Sequence, residues 1–203
     1  MKSSMITTLF LDIGGVLLTN GWDHNSRKKA STYFKIDPEE LNERHHLTFD
    51  TYESGKLTLD EYLNRVIFYQ KRSFTKRKFI SFMYNESKPI DDSIYFFKNV
   101  KKQYNLRVIA LSNEARELND FRVKKYKLDE LFDAFVSSCF VHLRKPDIDI
   151  YKLACDISNT LPNQALYIDD RLMFVQVANS LGINVLHHQN LASTKKYLKT
   201  ILH

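Results

Sequence analysis

The chain has 203 residues, 43% apolar and 27% charged, with a formal charge of +6 and only two cysteines, Cys139 and Cys155. That composition suits one folded domain, or one carrying a modest insertion, and excludes a disordered chain and a disulfide framework. The thin positive surplus favours small anionic ligands such as phosphate esters and is too small for a dedicated nucleic-acid binder, so no nucleic-acid partner is expected.

The first predicted element is "TTLFLD", a buried strand that ends on a carboxylate, Asp12, followed by Gly14 and Gly15 and a second apolar run. Asp12 interrupts the apolar stretch after Lys2 before the hydrophobic region of a signal peptide accumulates, and no later run is long enough to span a membrane. A reducing cytoplasm is therefore the expected location, with no membrane partner.

Residues 21–88 show no strand pattern and read as a chain of helices. "DPEELNERHH" opens with an N-cap Asp37, Pro38 at the first helical position and Glu40 at the third; "TLDEYLNRVIFYQ" opens with a capping box of Thr58 and Glu61. The basic run "KRSFTKRK" (residues 71–78) reads as a solvated helix face. Phe49, Tyr52, Tyr62, Phe68 and Tyr69 have helix-packing spacing and are expected in the core of this segment, with one or two rings bordering a pocket.

Four more strands follow, in "NLRVIALSN", "DAFVSS", "QALYIDD" and "NVLHH", separated by helical patterns, the last of which closes on Gly182. The strands do not alternate with polar residues, as expected of parallel strands covered on both faces. The predicted fold is thus α/β: a Rossmann-like three-layer core with a central parallel sheet, residues 1–20 and 89–203, plus a small helical cap, residues 21–88, inserted after the first strand.

Ligands of such sheets bind at the carboxyl ends of the strands. Asp12, Ser112 with Asn113, Lys145, and Asp169 with Asp170 all fall there. Each has two readings. Asp12 is a turn former or a reactive group; Ser112 and Asn113 are a helix N-cap or an anion site. Asp169 and Asp170 are an N-cap or hard oxygen ligands suited to Mg²⁺, and Lys145 is solvated or, held extended before Pro146, aimed inward. His45 with His46, and His187 with His188, have no matching ligand partners and read as structural or solvated.

Taken in order, "LFLDIGGVL", "VIALSN", "RKPDIDIY" and "LYIDD" resemble the four motifs of the haloacid dehalogenase-like hydrolase superfamily. The helical segment resembles the small cap of the subgroup with sugar-phosphate phosphatases and the N-terminal domain of soluble epoxide hydrolase. The resemblance implies a Mg²⁺-dependent phosphatase acting on a small phosphorylated metabolite. Asp12 would be the nucleophile, and Ser112, with the backbone at Asn113, would bind the phosphoryl group. Lys145 would neutralise charge, and Mg²⁺ would be held by Asp12, the Gly14 carbonyl and Asp170, with Asp169 a neighbouring or alternative ligand.

One departure stands out. Phosphatases of the superfamily usually carry a second Asp two residues after the nucleophile as general acid, and here that residue is Gly14. General acid assistance is worth about 10² to 10⁴-fold, so slow turnover of alkyl phosphates is expected unless Asp23 or His24 substitutes; these two otherwise read as hinge and capping residues. The alternatives are a catalytically weak phosphate- and metal-binding protein and a metal-independent 2-haloacid dehalogenase. Substrate and oligomeric state are not legible.

Overall fold

The structure, a computed structural model, describes residues 5–202. Strands β1 (Thr8–Leu11), β2 (Arg107–Ser112), β3 (Ala134–Ser137), β4 (Ala165–Asp169) and β5 (Asn184–His187) form one parallel sheet in the order β3-β2-β1-β4-β5. All five coincide with the apolar runs of the sequence. The reason is visible in β1: Leu9 and Leu11 pack into one buried cluster and Phe10 into another, so both faces of the strand are apolar.

Helices α6 (Ser93–Gln103) and α11 (Leu191–Ile201) cover the Leu9 face with Phe97, Val100 and Leu198. On the Phe10 face lie α9 (Ile148–Ser158) and α10 (Leu172–Ser180), through Ile150, Tyr151, Ala154 and Ala178. Between β2 and β3 runs α7 (Arg116–Tyr126), and the short α8 (Ser138–Val141) follows β3. Each fully buried Leu, Ile or Phe contributes about 1.5 to 3 kcal/mol by removal from water.

Between β1 and β2 lie α1 (His24–Phe34), α2 (Pro38–His46), α3 (Phe49–Glu53), α4 (Leu59–Val66) and α5 (Lys76–Asn85). They share a third buried cluster built on Trp22, Tyr52, Tyr62, Phe79 and Met83. Asp37 accepts from the Glu40 amide at 2.8 Å, and Thr58 with Glu61 forms the complete capping box, as their sequence positions predict. The basic run is not one helix face: α5 begins at Lys76, and Arg72 before it donates to the Ile67 carbonyl at 2.7 Å. No helix among the described residues is long and apolar enough to cross a membrane.

The sheet order reverses direction between β1 and β4, the place where open α/β sheets leave a crevice. Asp12 at the end of β1 and Asp169 and Asp170 at the end of β4 flank that crevice.

Candidate active site

Lys145 is the hub of the sheet end. Its side chain is wholly buried, and its ammonium donates to the Leu111 carbonyl at 2.9 Å and to Asp169 Oδ2 at 2.6 Å, with Asp12 Oδ2 at 3.3 Å. Of the two readings of this residue, solvated or inward, the structure takes the inward one. Burial alone would lower its pKa, but the carboxylates of Asp12 and Asp169 outweigh it and hold the ammonium above its ordinary value.

Asp12 feels the opposite balance. Burial raises its pKa to about 7, against Lys145, while Asp169 and Asp170 add to the rise and the Ser112 hydroxyl opposes it. One carboxylate oxygen, Oδ1, accepts from the Ile13 amide at 2.8 Å. Asp169 is fully engaged: Oδ2 accepts from Lys145 and from the Tyr167 hydroxyl, and Oδ1 accepts from the Arg171 amide at 2.7 Å. Although burial raises it, these donors together hold Asp169 below the usual carboxylate range.

Its neighbour Asp170 differs. Oδ2 has a single long contact, from the Asn20 amide at 3.4 Å, and Oδ1 is buried with no hydrogen-bond partner. A buried carboxylate oxygen left without a donor costs free energy unless something else satisfies it. Asp12, Asp169 and Asp170 each offer an oxygen within 4.8 Å of the others. This all-oxygen set fits a hard cation such as Mg²⁺. Gly15 makes room for it: its φ is +74°, and a Cβ there would lie 2.2 Å from the Asp170 carboxyl carbon. Neither Asp169 nor Asp170 caps α10, whose preceding residue is Arg171.

The loop after β2 is tied to the Lys145 loop by a reciprocal pair that sequence reading missed. Asn113 donates from its side-chain amide to the Lys145 carbonyl at 2.8 Å and accepts from the Lys145 amide at 2.8 Å. The N-cap reading of Ser112 and Asn113 is therefore not realised; Ala115 precedes α7 and no side chain caps it. Beyond them, buried Glu114 pairs with buried Arg122. Arg122 also donates to Ser87 Oγ at 3.0 Å and to the Thr19 carbonyl at 2.9 Å, so one guanidinium joins the segment after β1, the end of the helical segment and the site loop. Burial pushes its pKa down to about 10, opposed by Asp12.

Asp12, Gly14, Ser112, Asn113 and Lys145 line a cavity of about 720 Å³, whose opposite wall comes from the helical segment. Asp23 and His24 also line it, with Asp23 capping α1 by accepting from the Ser26 amide at 2.8 Å and His24 exposed. Phe49 and Tyr52 border it, whereas Tyr62 packs behind, stacked on Tyr52 at 4.2 Å. Arg144 closes the junction. It pairs with Glu53 at 2.6 Å and with Asp50, and Ser138 Oγ donates to the Glu53 carbonyl at 2.7 Å, fastening α3 to the core. Burial raises the Glu53 pKa against Arg144.

Of the four histidines read as structural or solvated, His187 donates to the Asp170 carbonyl at 3.0 Å and His188 bonds Thr194 Oγ1 at 2.8 Å. His46 and His45 line the cavity, and His45 bonds the Tyr62 hydroxyl at 2.8 Å. Both cysteines are buried and free.

Residues 25–187 match the sequence model of the haloacid dehalogenase-like hydrolase family. The chain belongs to that family. Drimenol cyclase drtB of Aspergillus calidoustus is 32% identical over 195 residues, 91% of this chain but 34% of that protein. A phosphorylated carbohydrates phosphatase of Thermotoga maritima is 26% identical over 132 residues, 65% of this chain and 56% of that one. The chain thus spans between a third and somewhat over half of these relatives. Among solved structures, a HAD family enzyme of Bacteroides thetaiotaomicron in complex with magnesium and inorganic phosphate superposes with a TM-score of 0.75 at 19% identity, covering 92% of this chain and 96% of that one. The L-2-haloacid dehalogenase of Xanthobacter autotrophicus superposes at 0.64 with 17% identity, covering 97% and 83%. At such identities the likeness is one of fold.

Proposed function

We propose that this hydrolase is a Mg²⁺-dependent phosphatase of small phosphate monoesters, with residues 21–88 acting as its cap and residues 1–20 and 89–203 as its core. The observation that carries the reading is the unpartnered, buried Oδ1 of Asp170 beside Asp12 and Lys145 at one end of the cavity. A metal-independent dehalogenase does not require a cluster of carboxylates as cation ligands, so this grouping favours the phosphatase. The phosphatase relative and the magnesium- and phosphate-bound structural relative support the same choice.

In this reading Asp12 attacks phosphorus, the P–O ester bond breaks, and the aspartyl-phosphate is then hydrolysed by water. Lys145 favours the ionised form of Asp12 and balances charge on the transferring group, and the Ser112 hydroxyl with the Asn113 amide binds its oxygens. Asp12, Asp170 and the Gly14 carbonyl would hold Mg²⁺, with Asp169 committed to fixing Lys145. Bound there, Mg²⁺ supplies positive charge that neutralises the phosphoryl oxygens.

What the chain lacks is a proton donor at residue 14. A Cβ on Gly14 would lie 2.8 Å from Asn20 Oδ1, so Asn20 stands where a side chain from that position would pass. Leaving groups that depart without a proton are therefore favoured. The test is hydrolysis of an aryl phosphate and an alkyl phosphate, with and without Mg²⁺. Metal-dependent cleavage of the aryl ester, lost in Asp12→Asn, is expected; intact esters in the presence of Mg²⁺ would leave a phosphate- and metal-binding protein instead.

A further inference from the structure

Behind the cavity wall runs a hydrogen-bonded chain from Trp22 through Tyr62 to His45. Trp22 Nε1 lies 2.8 Å from Tyr62 Oη, and Tyr62 Oη lies 2.8 Å from His45 Nδ1. Its direction follows from what each group can do. Indole N–H only donates, so Tyr62 Oη accepts from Trp22. Tyr62 is wholly buried and its hydroxyl has no other partner among the described residues, so its single proton is satisfied only by donation to His45 Nδ1. His45 Nδ1 is then an acceptor, and the ring proton sits on Nε2.

The start of the chain is fixed as well. Arg27 donates to the Trp22 carbonyl at 2.9 Å and to Asn42 Oδ1 at 3.0 Å, and the His45 ring stacks on Phe49 with centroids 5.4 Å apart. His45 lines the cavity, and its Nε2 has no hydrogen-bond partner among the described residues.

We propose that His45, held as the Nε2–H tautomer by Trp22 and Tyr62, is a specificity residue that donates a hydrogen bond to a hydroxyl oxygen on the leaving group of the substrate. The inference rests on the phosphatase reading and deepens it: among esters with comparable leaving groups, those that carry a hydroxyl within reach of Nε2 are selected. Burial, with Arg27, His46 and Arg144 nearby, lowers the His45 pKa to about 3, so the ring is neutral at ordinary pH. A neutral donor suits a neutral hydroxyl, while the phosphoryl group is handled by Lys145 and Ser112 at the other end of the cavity.

A site built to hydrogen-bond a hydroxyl discriminates against an analogue that lacks it, because its own donor is then left unpaired. The test compares kcat/KM for glucose 6-phosphate and hexyl phosphate in the wild type and three variants. His45→Asn keeps an amide at the Nδ1 position facing Tyr62 without the reach of Nε2; His45→Gln reaches further and keeps a donor; His45→Phe keeps only the ring. The expected result is that the ratio of the two kcat/KM values falls about tenfold or more in the Asn and Phe variants and is substantially restored in the Gln variant. A wild-type ratio in His45→Asn would show an internal role only and overturn the proposal.

The tautomer is read independently by long-range ¹H–¹⁵N NMR of the imidazole in the full chain. A protonated Nε2 is expected in the wild type, with the tautomers mixing in Tyr62→Phe; a protonated Nδ1 in the wild type would overturn the proposal. Should no ester be hydrolysed by any form, the phosphatase reading fails on its own. The His45 proposal is then decided by whether glucose 6-phosphate, and not inorganic phosphate, shifts the Nε2 resonance; no shift overturns it.

Discussion

The two ends of the cavity are built differently. At the sheet end, Asp12, Lys145 and Asp169 sit on or beside strand ends, buried and bonded to backbone atoms of β2 and to one another. At the helix end, His45, Glu53 and Arg144 are held by side chains from separate helices and loops, Tyr62, Asp50 and Ser138 among them. At the sheet end the parallel sheet dictates where each residue points. At the helix end the geometry depends on how α1 to α4 pack. Common chemistry at the first and selectivity at the second is what such a division predicts.

At residue 14 the sheet end carries glycine, which has no proton to donate from a side chain. Gly14→Asp combined with Asn20→Ser, which clears the path of the new side chain, is expected to raise kcat on alkyl phosphates by about 10² to 10⁴-fold, with a smaller gain on aryl phosphates. Equal gains on both would mean that leaving-group protonation was never the deficit.

The two ends are joined through Arg122. Arg122→Ala removes the partner of buried Glu114 and the ties to Thr19 and Ser87, and is expected to cost about 3 to 5 kcal/mol in denaturant unfolding. A loss below about 1 kcal/mol would show that water satisfies Glu114 as well as the guanidinium does.

At the helix end the expected effect is one of pH. In the metal-free protein the folded pKa of His45 is about 3 against an ordinary value of 6.5, so between these values the unfolded state binds more protons and stability is lost as pH falls. Asp12, raised to about 7, acts in the opposite direction, its contribution declining as pH rises from about 4. The difference between wild type and His45→Phe cancels Asp12. That difference is expected to rise with pH from about 3 to 6.5, by at most about 1.4 kcal/mol per pH unit, and to be flat above. A flat difference throughout would place the ring in solvent.

This division also marks what was legible in the sequence. All five strands were readable from their apolar runs, because strands covered on both faces admit few polar residues, and the polar residues that end them were readable as a cluster for the same reason. The choice between their two readings was not. That Asn113 pairs with the Lys145 backbone, or that Asp169 is consumed by Lys145 and Tyr167 while Asp170 keeps a free oxygen, depends on the meeting of loops far apart in sequence. Nothing local marks Glu114, beside Asn113, as half of a buried pair, and its partner Arg122 is one basic residue among several on α7. At the helix end the capping residues were plain, since caps are local. His45 was not, because its bond to Tyr62 spans 17 residues and joins two helices.

The proposed function rests on attack of Asp12 on phosphorus. Its most direct test is a single-turnover reaction of the full chain with Mg²⁺ and an aryl phosphate, quenched in acid and followed by peptide mass spectrometry. A transient phosphoryl group is expected on the peptide bearing Asp12, carried by Asp12 itself and absent in Asp12→Asn. Hydrolysis that proceeds without a phosphoryl group on Asp12, and persists in Asp12→Asn, would contradict it.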